Sequence, residues 1–361
     1  VSGSEIISSN SKTSYNGNYG LNASWTIYNG SKRLKTLKQE RLNNQVAELD
    51  VATSENTIKE SIAQIYIQIL YAAESVRVNE NTLQVSIAQR DRGQELLNAG
   101  SIAKSDFAQL EAQVSTDRYQ LVTAQATLQD YKLQLKQLLE LDGENEMNVY
   151  LPNLSDENVL APLPAKKDVY VSALAIRPEI EASKLNVEAS ELGIDIAKSS
   201  YFPTISLSAG IGTNHTSGSD FTFGEQVKNG WNNSIGLSVS VPIFNNRQTK
   251  SAVQKAKLQR ETNMLSLLDE QKALYKTIES LWLDANSAQQ RYAAANEKLR
   301  STQISYDLIS EQFNLGMKNT VELLTEKNNL LQAQQEQLQA KYMAILNTQL
   351  LKFYQGDKLT L

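Results

Sequence analysis

The residue types most often used for catalysis and metal binding are nearly absent from this 361-residue chain, which has one His and no Cys. His215 is the only histidine, and it shares the stretch TNHTSGSDFTFGEQVKNGWNNS (213–234) with Asp220. A hydrolytic triad needs a nucleophile and a base that position one another. This polar, Gly-bearing stretch reads instead as a loop joining two strands. The acids of DGENE at 142–146 loosely match a calcium loop but lack its ligand spacing. No glycine pair makes a phosphate loop. The absence of Cys removes thiol catalysis and disulfides, and with one His it leaves little for structural zinc or iron–sulfur clusters. No catalytic residue, metal site or cofactor is expected. The net charge of −5 is mild, and no basic run with interleaved aromatics invites nucleic acid.

What organises the chain is an internal repeat with an ungapped offset of 216 residues. Gly20-Leu21 meets Gly236-Leu237, Ser24 meets Ser240, Tyr28 meets Phe244, and Asn29 meets Asn245. Far downstream, Tyr66 meets Trp282, Gly100 meets Gly316, and Asp106 meets Glu322. Each copy begins with a strand of period two. Tyr19, Leu21, Ala23, Trp25 and Ile27 alternate with polar residues and Gly, as do Leu237, Val239, Val241 and Ile243. A third strand is predicted over Phe202–Gly212, with Ile205, Leu207, Ala209 and Ile211 on one face. Each is about the ten residues that a tilted membrane strand needs.

After Asn29 and Asn245 the period changes to that of a helix, with no internal Pro or Gly until about residue 92 or 315. Apolar residues step three and four apart: Ile58, Ile62, Ile65, Ile69 and Ala72 in one copy, and Ile278, Leu281, Ala285, Ala288 and Tyr292 in the other. The returning helix gives Leu110, Val114, Leu121, Ala124 and Leu128, with only Asp117 out of pattern. This is coiled-coil spacing, so each long helix turns at Gly100 or Gly316 and returns antiparallel. Tyr66 and Trp282 read as seam packing. The segment 142–176, which with Pro178 holds four of the six prolines, reads as an irregular connector on the outside of the helices. The division is thus repeat one at 1–141, connector at 142–176 and repeat two at 177–361. Repeat two opens with a helix and strand, from about Arg177 to Ile211. Their counterparts would begin about forty residues before Val1. We expect the chain to lack that segment.

No run of about 18 apolar residues exists, so no membrane-spanning helix is expected. Three short strands in one chain cannot close a sheet, and their open edges would invite aggregation. Closure between several chains around one axis removes the edges. A bilayer demands the same closure, because every backbone polar group must be paired there. Strands with apolar faces outward and Ser, Gly and Asn inward suit a water-holding barrel. Leu21 and Val239 would face lipid. Tyr19, Trp25, Tyr28, Phe202, Trp231 and Phe244, near strand ends, suit aromatic girdles. The competing reading is a soluble or surface-attached coiled-coil scaffold without transport activity; an apolar outer face would argue against a soluble sheet.

The two strand–helix–helix units, the VPIFNN strand end at 241–246, the Gly at each tip and the Pro-rich connector together resemble the TolC-like outer-membrane efflux proteins. The resemblance covers essentially the whole chain. It implies an α+β membrane protein: a trimeric β-barrel continued by a long periplasmic α-helical barrel. It implies an outer-membrane exit duct of a tripartite efflux or type I secretion system in a Gram-negative bacterium. Drugs, ions or proteins would pass without chemistry. The implied partners are two further copies of the chain, a periplasmic adaptor, an inner-membrane pump of the RND, ABC or MFS class, and outer-membrane lipid.

The resemblance also assigns a gate where the hairpin turns NAGSIAKSDFAQ (98–109) and FNLGMKNTVELL (313–324) converge. A basic residue two after the second Gly, here Lys318, would bond to an acid six after the first, here Asp106, and hold the tip shut. An acid six after the second Gly, here Glu322, would face the narrowest ring. Thr325 stands where relatives often carry a second acid. Phe313 stands where an aromatic joins the network, and without a hydroxyl it can only pack. A three-fold ring of Glu322 would concentrate negative potential and favour cations. Breaking the Lys–Asp pair would bias the tip toward splaying. On the residues alone, the same charges also read as solvated groups at helix starts, where acids suit the N-terminus.

Overall fold

A computed structural model describes residues 13–141, 147–152 and 159–359; DGENE at 142–146 lies outside the described residues. The elements run β1 (Asn16–Asn29), α1 (Lys32–Asn98), α2 (Lys104–Leu138), α3 (Lys166–Ile176), α4 (Pro178–Lys198), β2 (Thr204–Thr216), α5 (Phe223–Asn229), β3 (Asn232–Ser240), α6 (Gln248–Asn314) and α7 (Thr320–Gln355). A short 3-10 turn at Ser199–Tyr201 links α4 to β2. The repeat is literal. α1 and α6 are 67 residues each, and both their ends lie 216 residues apart. At 1.5 Å per residue each extends about 100 Å.

The entry to each long helix is one device used twice. Gly30 and Ser31 take φ of 65° and 62°, and their repeat partners Asn246 and Arg247 take 51° and 62°. A Cβ on Gly30 would stand 2.7 Å from the Ser199 carbonyl oxygen, so only Gly fits there. Asn at 246 is the side chain that best tolerates the same backbone. Asn29 Oδ1 then accepts from the Arg33 N–H at 3.3 Å, and Asn245 bonds to Thr249.

The chain packs as two compact units. One gathers the described residues up to Val46 with Lys184–Ser266. It holds an antiparallel sheet of order β1-β2-β3. Register sorts the side chains cleanly. Leu21, Ala23, Trp25 and Tyr28 share a face with Ile205, Leu207, Ala209, Ile211, Ile235, Leu237 and Val239; the other face carries Asn22, Ser24, Thr26, Ser206, Ser208, Gly210, Ser234 and Gly236. Ile27 is the extra residue of a bulge. The predicted strands are displaced. β2 starts at Thr204, two residues late, because Pro203 has no N–H to pair. β3 therefore ends at Ser240, opposite Thr204, and the predicted continuation through Val241 to Ile243 is not strand. The expected loop 213–234 is largely structured: its start extends β2, 223–229 form α5 and its end opens β3. In the same unit α4 is held between the first turns of α1, through Gln39 Nε2 on the Ala189 carbonyl at 2.8 Å, and those of α6, through Arg260 and Glu191 at 2.9 Å.

The other unit gathers the described residues of Ala47–Ser183 and Leu267–Leu361. These units cut across the 1–141, 142–176 and 177–361 division. Strands from the two repeats hydrogen-bond to one another, so space regroups what sequence keeps apart. The seam of α1 holds to its expected line at Ile69 and Ala72, which are buried, and widens to Ala63, Ile67 and Leu70, whereas Ile58 is exposed. On α6 the expected Ile278, Ala285, Ala288 and Tyr292 are buried. Residues 166–176 of the connector are not irregular. They form α3, whose Val169 and Ala173 pack with Ile278, Leu351 and Tyr354. The rest of the described connector is strapped to the long helices by the repeat-paired aromatics. Tyr66 Oη donates to the Tyr150 carbonyl at 2.8 Å, and Trp282 Nε1 donates to the Pro164 carbonyl at 3.0 Å. Both rings border the core as expected, but their polar atoms clamp the connector.

Candidate functional site

Both hairpin turns end their long helix in the same way. At Gly100 (φ 74°) the Ser101 N–H reaches the Leu96 carbonyl at 2.8 Å, and the Gly100 N–H reaches Leu97 at 2.9 Å. At Gly316 (φ 72°) the Met317 N–H reaches Gln312 at 2.8 Å, and the Gly316 N–H reaches Phe313 at 2.9 Å. These are Schellman caps, which need a left-handed residue at that position. Arg92 ties the two turns together through the Asn314 carbonyl at 3.4 Å.

The charged residues of the tip stand on the first turns of α2 and α7. Asn319 caps α7, with its Oδ1 accepting from the Glu322 N–H at 2.9 Å while Glu322 accepts from the Asn319 N–H at 3.3 Å. The second oxygen of Glu322 lies 2.6 Å from Lys318 Nζ. The bond from Lys318, then that from the Asn319 backbone, holds the Glu322 carboxyl below its ordinary range. Asp106, the third residue of α2, accepts from the Ala103 N–H at 3.4 Å. Within one chain the Asp106–Lys318 pair is therefore not made. Each acid serves its own helix start, and Lys318 is engaged by the acid four residues on. Phe313 is buried against Leu110, Tyr306, Leu323 and Leu330, and its packing joins α6 to α2 and α7. Leu315, Met317 and Val321 are exposed around the second turn.

Above the turns lies a polar cluster that the sequence only half disclosed. Asp117, the misfit of the α2 seam, accepts hydrogen bonds from Lys327 of α7 and Ser86 of α1, and from Gln113 at 2.9 Å. Lys327 also donates to Ser86. Both charged side chains are only 3% exposed. Burial pushes the Lys327 ammonium below its ordinary range, against the pull of Asp117. The repeat carried a signal: Ala333 stands at the position equivalent to Asp117 and is fully buried. Lys327 sits in a run of ordinary helix residues and offered no such clue.

The expected membrane-facing and girdle residues are all exposed: Tyr19, Leu21, Trp25, Tyr28 and Val239 on the sheet, and Phe202, Trp231 and Phe244 beyond its strand ends; Ile235 is exposed at 85%. His215, on β2, pairs with Gly17 of β1, and its ring lies 5.0 Å from that of Phe223. Among the described residues no group of three His, Asp or Glu side chains could hold a metal ion. Among them, too, no helix is long and apolar enough to cross a membrane.

The family profile described as "Outer membrane efflux protein" matches residues 2–140 and 169–356. The outer membrane efflux protein BepC of Brucella suis is 25% identical over 294 residues, covering 81% of this chain and 61% of that protein. The outer membrane protein TolC of Escherichia coli is 24% identical over 341 residues, covering 91% of this chain and 66% of its own length. The chain thus spans about three-fifths to two-thirds of the length of these curated relatives. Its fold matches the crystal structure of CusC, described as forming a transmembrane channel, with a TM-score of 0.82 at 19% identity, over 98% of this chain and 81% of that one.

Proposed function

Because the chain belongs to the outer membrane efflux protein family, whose members are outer-membrane transport channels and not enzymes, we propose that it works as the exit duct of a tripartite efflux or type I secretion system. One observation carries this reading. The sheet exposes a continuous apolar face, keeps Gly, Ser and Asn on the other, and leaves the outer edges of β1 and β3 without partners among the described residues. Such a sheet is a wall segment: lipid suits one face, water the other, and copies of the chain complete the edges. A homotrimer closes the wall. Export substrates pass without a chemical step. A periplasmic adaptor and an inner-membrane pump of the RND, ABC or MFS class supply the drive and the selection.

The tip is the gate in this reading. Lys318 is shared between Glu322, its partner within the chain, and Asp106 of a neighbouring copy. Phe313 anchors the second turn, and Glu322 lines the constriction. Single-channel conductance of the full-length protein in planar bilayers tests both levels. Small, cation-selective openings that enlarge in Lys318→Glu are expected. Openings unchanged by the variant would remove the gate assignment and leave the duct. Clean insertion without conductance from either protein would overturn the duct.

A further inference from the structure

α5, in the connection between β2 and β3, is a built element. Thr222 Oγ1 accepts from the Glu225 N–H at 3.4 Å, while Glu225 accepts from the Thr222 N–H at 2.9 Å and its hydroxyl at 2.8 Å. Gly230 closes the other end, where a Cβ would meet the Asn214 Oδ1 at 2.6 Å and the Gln226 carbonyl at 2.8 Å. The helix is docked on β2. The Thr213 hydroxyl donates to the Val227 carbonyl at 2.9 Å, and the Thr216 N–H donates to Gln226 Oε1 at 2.9 Å.

The face it docks on is informative. The Phe223 ring stands edge-on to Tyr19 at 6.3 Å and to His215 at 5.0 Å. Tyr19, Thr213 and His215 share the sheet face of Leu21, Ile211 and Ile235. A helix plugging a water-filled lumen would sit on the Gly/Ser/Asn face; α5 sits on the apolar one. It is flanked by exposed aromatics, with Phe221 before it, Trp231 after it and Tyr15 just ahead of β1, where its carbonyl accepts from the Ser217 N–H. Tyr19, at this level, and Tyr28, near the other strand end, are nine residues apart on that face. With the bulge at Ile27 they face Thr213 and Ile205, eight residues apart on β2, which extends about 27 Å along a strand. Tilted by about 40°, that rises about 21 Å, comparable with the height of about 25 Å of an outer-membrane apolar band.

We propose that α5, with Phe221 and Trp231 at its two ends, is a lipid-interface anchor that beds in the headgroup–acyl boundary surrounding the apolar sheet face. The inference rests on the reading of that face as lipid-facing, with which α5 is continuous. Aromatic rings favour this boundary because one part of the zone is apolar and the other wet. Lys228 is exposed in the last turn and can extend its ammonium to the headgroups. Glu225 is already engaged by its cap.

Residues 1–361 hold no cysteine, so single-cysteine nitroxide labels read out position. Phe221→Cys and Trp231→Cys are prepared in the full-length protein. Reference labels are Leu237→Cys on the apolar face and Ser208→Cys on the polar face. All are reconstituted in palmitoyl-oleoyl phosphatidylcholine vesicles. Collision with oxygen is compared with collision with a water-soluble nickel chelate. The 221 and 231 labels are expected to show an oxygen-to-nickel ratio several-fold above that at Ser208→Cys and below that at Leu237→Cys. Water-like ratios at both, with Leu237→Cys lipid-like, would overturn the anchor and leave the lipid-facing sheet intact. Spin–spin broadening between protomers at 221 or 231 would overturn it in favour of a neighbouring chain as the occupant. A water-like ratio at Leu237→Cys would bring down the lipid-facing reading and the anchor with it.

Discussion

Removing Asp117 leaves the Lys327 ammonium 3% exposed with only the Ser86 hydroxyl to satisfy it. Breaking one side of a buried ion pair costs about 3–5 kcal/mol, because the remaining charge is neither solvated nor paired. Asp117→Ala should fall in that range. Lys327→Met should cost less, since Asp117 keeps Ser86 and Gln113 as donors. The double variant Asp117→Ala/Lys327→Met should recover most of the loss. It removes both charges, and an Ala already packs fully buried at the equivalent position in the second repeat, Ala333. The assay is urea unfolding followed by far-ultraviolet circular dichroism, at one fixed protomer concentration because assembly adds to apparent stability. Non-additivity is the signal. If the double variant loses the sum of the two single losses to within about 0.5 kcal/mol, the groups act independently. The coupling of α1, α2 and α7 through this cluster would then be refuted.

Other parts of the molecule give sharper single-site expectations. Gly316→Ala forces a side chain into the left-handed region and should cost about 1–2 kcal/mol in the same unfolding assay, with no steric contribution because nothing lies within 4 Å of the added Cβ. Arg177 reaches Glu60 at 3.0 Å and Glu179 at 2.8 Å while stacking over Tyr354 at 4.0 Å. Arg177→Lys should lose about 1.5–3 kcal/mol despite keeping the charge, because a single ammonium cannot span both acids and the ring. Glu322 has a lowered folded-state pKa, so its contribution is fully present above the ordinary value of 4.5 and is lost as pH falls through the lower folded value. Acid titration of thermal stability should therefore show a difference between the natural protein and Glu322→Gln that is constant at neutral pH and shrinks as pH falls below 4.5.

The sequence by itself determined the features governed by short-range rules. A strict 216-residue register, period-two alternation, long Gly- and Pro-free helical runs and a Gly at each tip settle strands, helices and turns from the conformations neighbouring residues allow. They placed Tyr19 and Trp25 on one face and Gly100 and Gly316 at the two left-handed caps. Tertiary structure decided which distant side chains meet. Lys318 pairs with Glu322 within the chain rather than Asp106, Lys327 reaches Asp117 across 210 residues, and Tyr66 and Trp282 clamp a connector their helical spacing assigned to the seam. The physical reason is that one residue turns a helix by about 100°, so the partner helices decide which flanking residues join a buried line, as Ala63, Ile67 and Leu70 join Ile69 and Ala72 while Ile58 stays exposed. Where strands end follows from their partners as well. β3 stops at Ser240 because Pro203, beyond Thr204 on β2, has no N–H to offer.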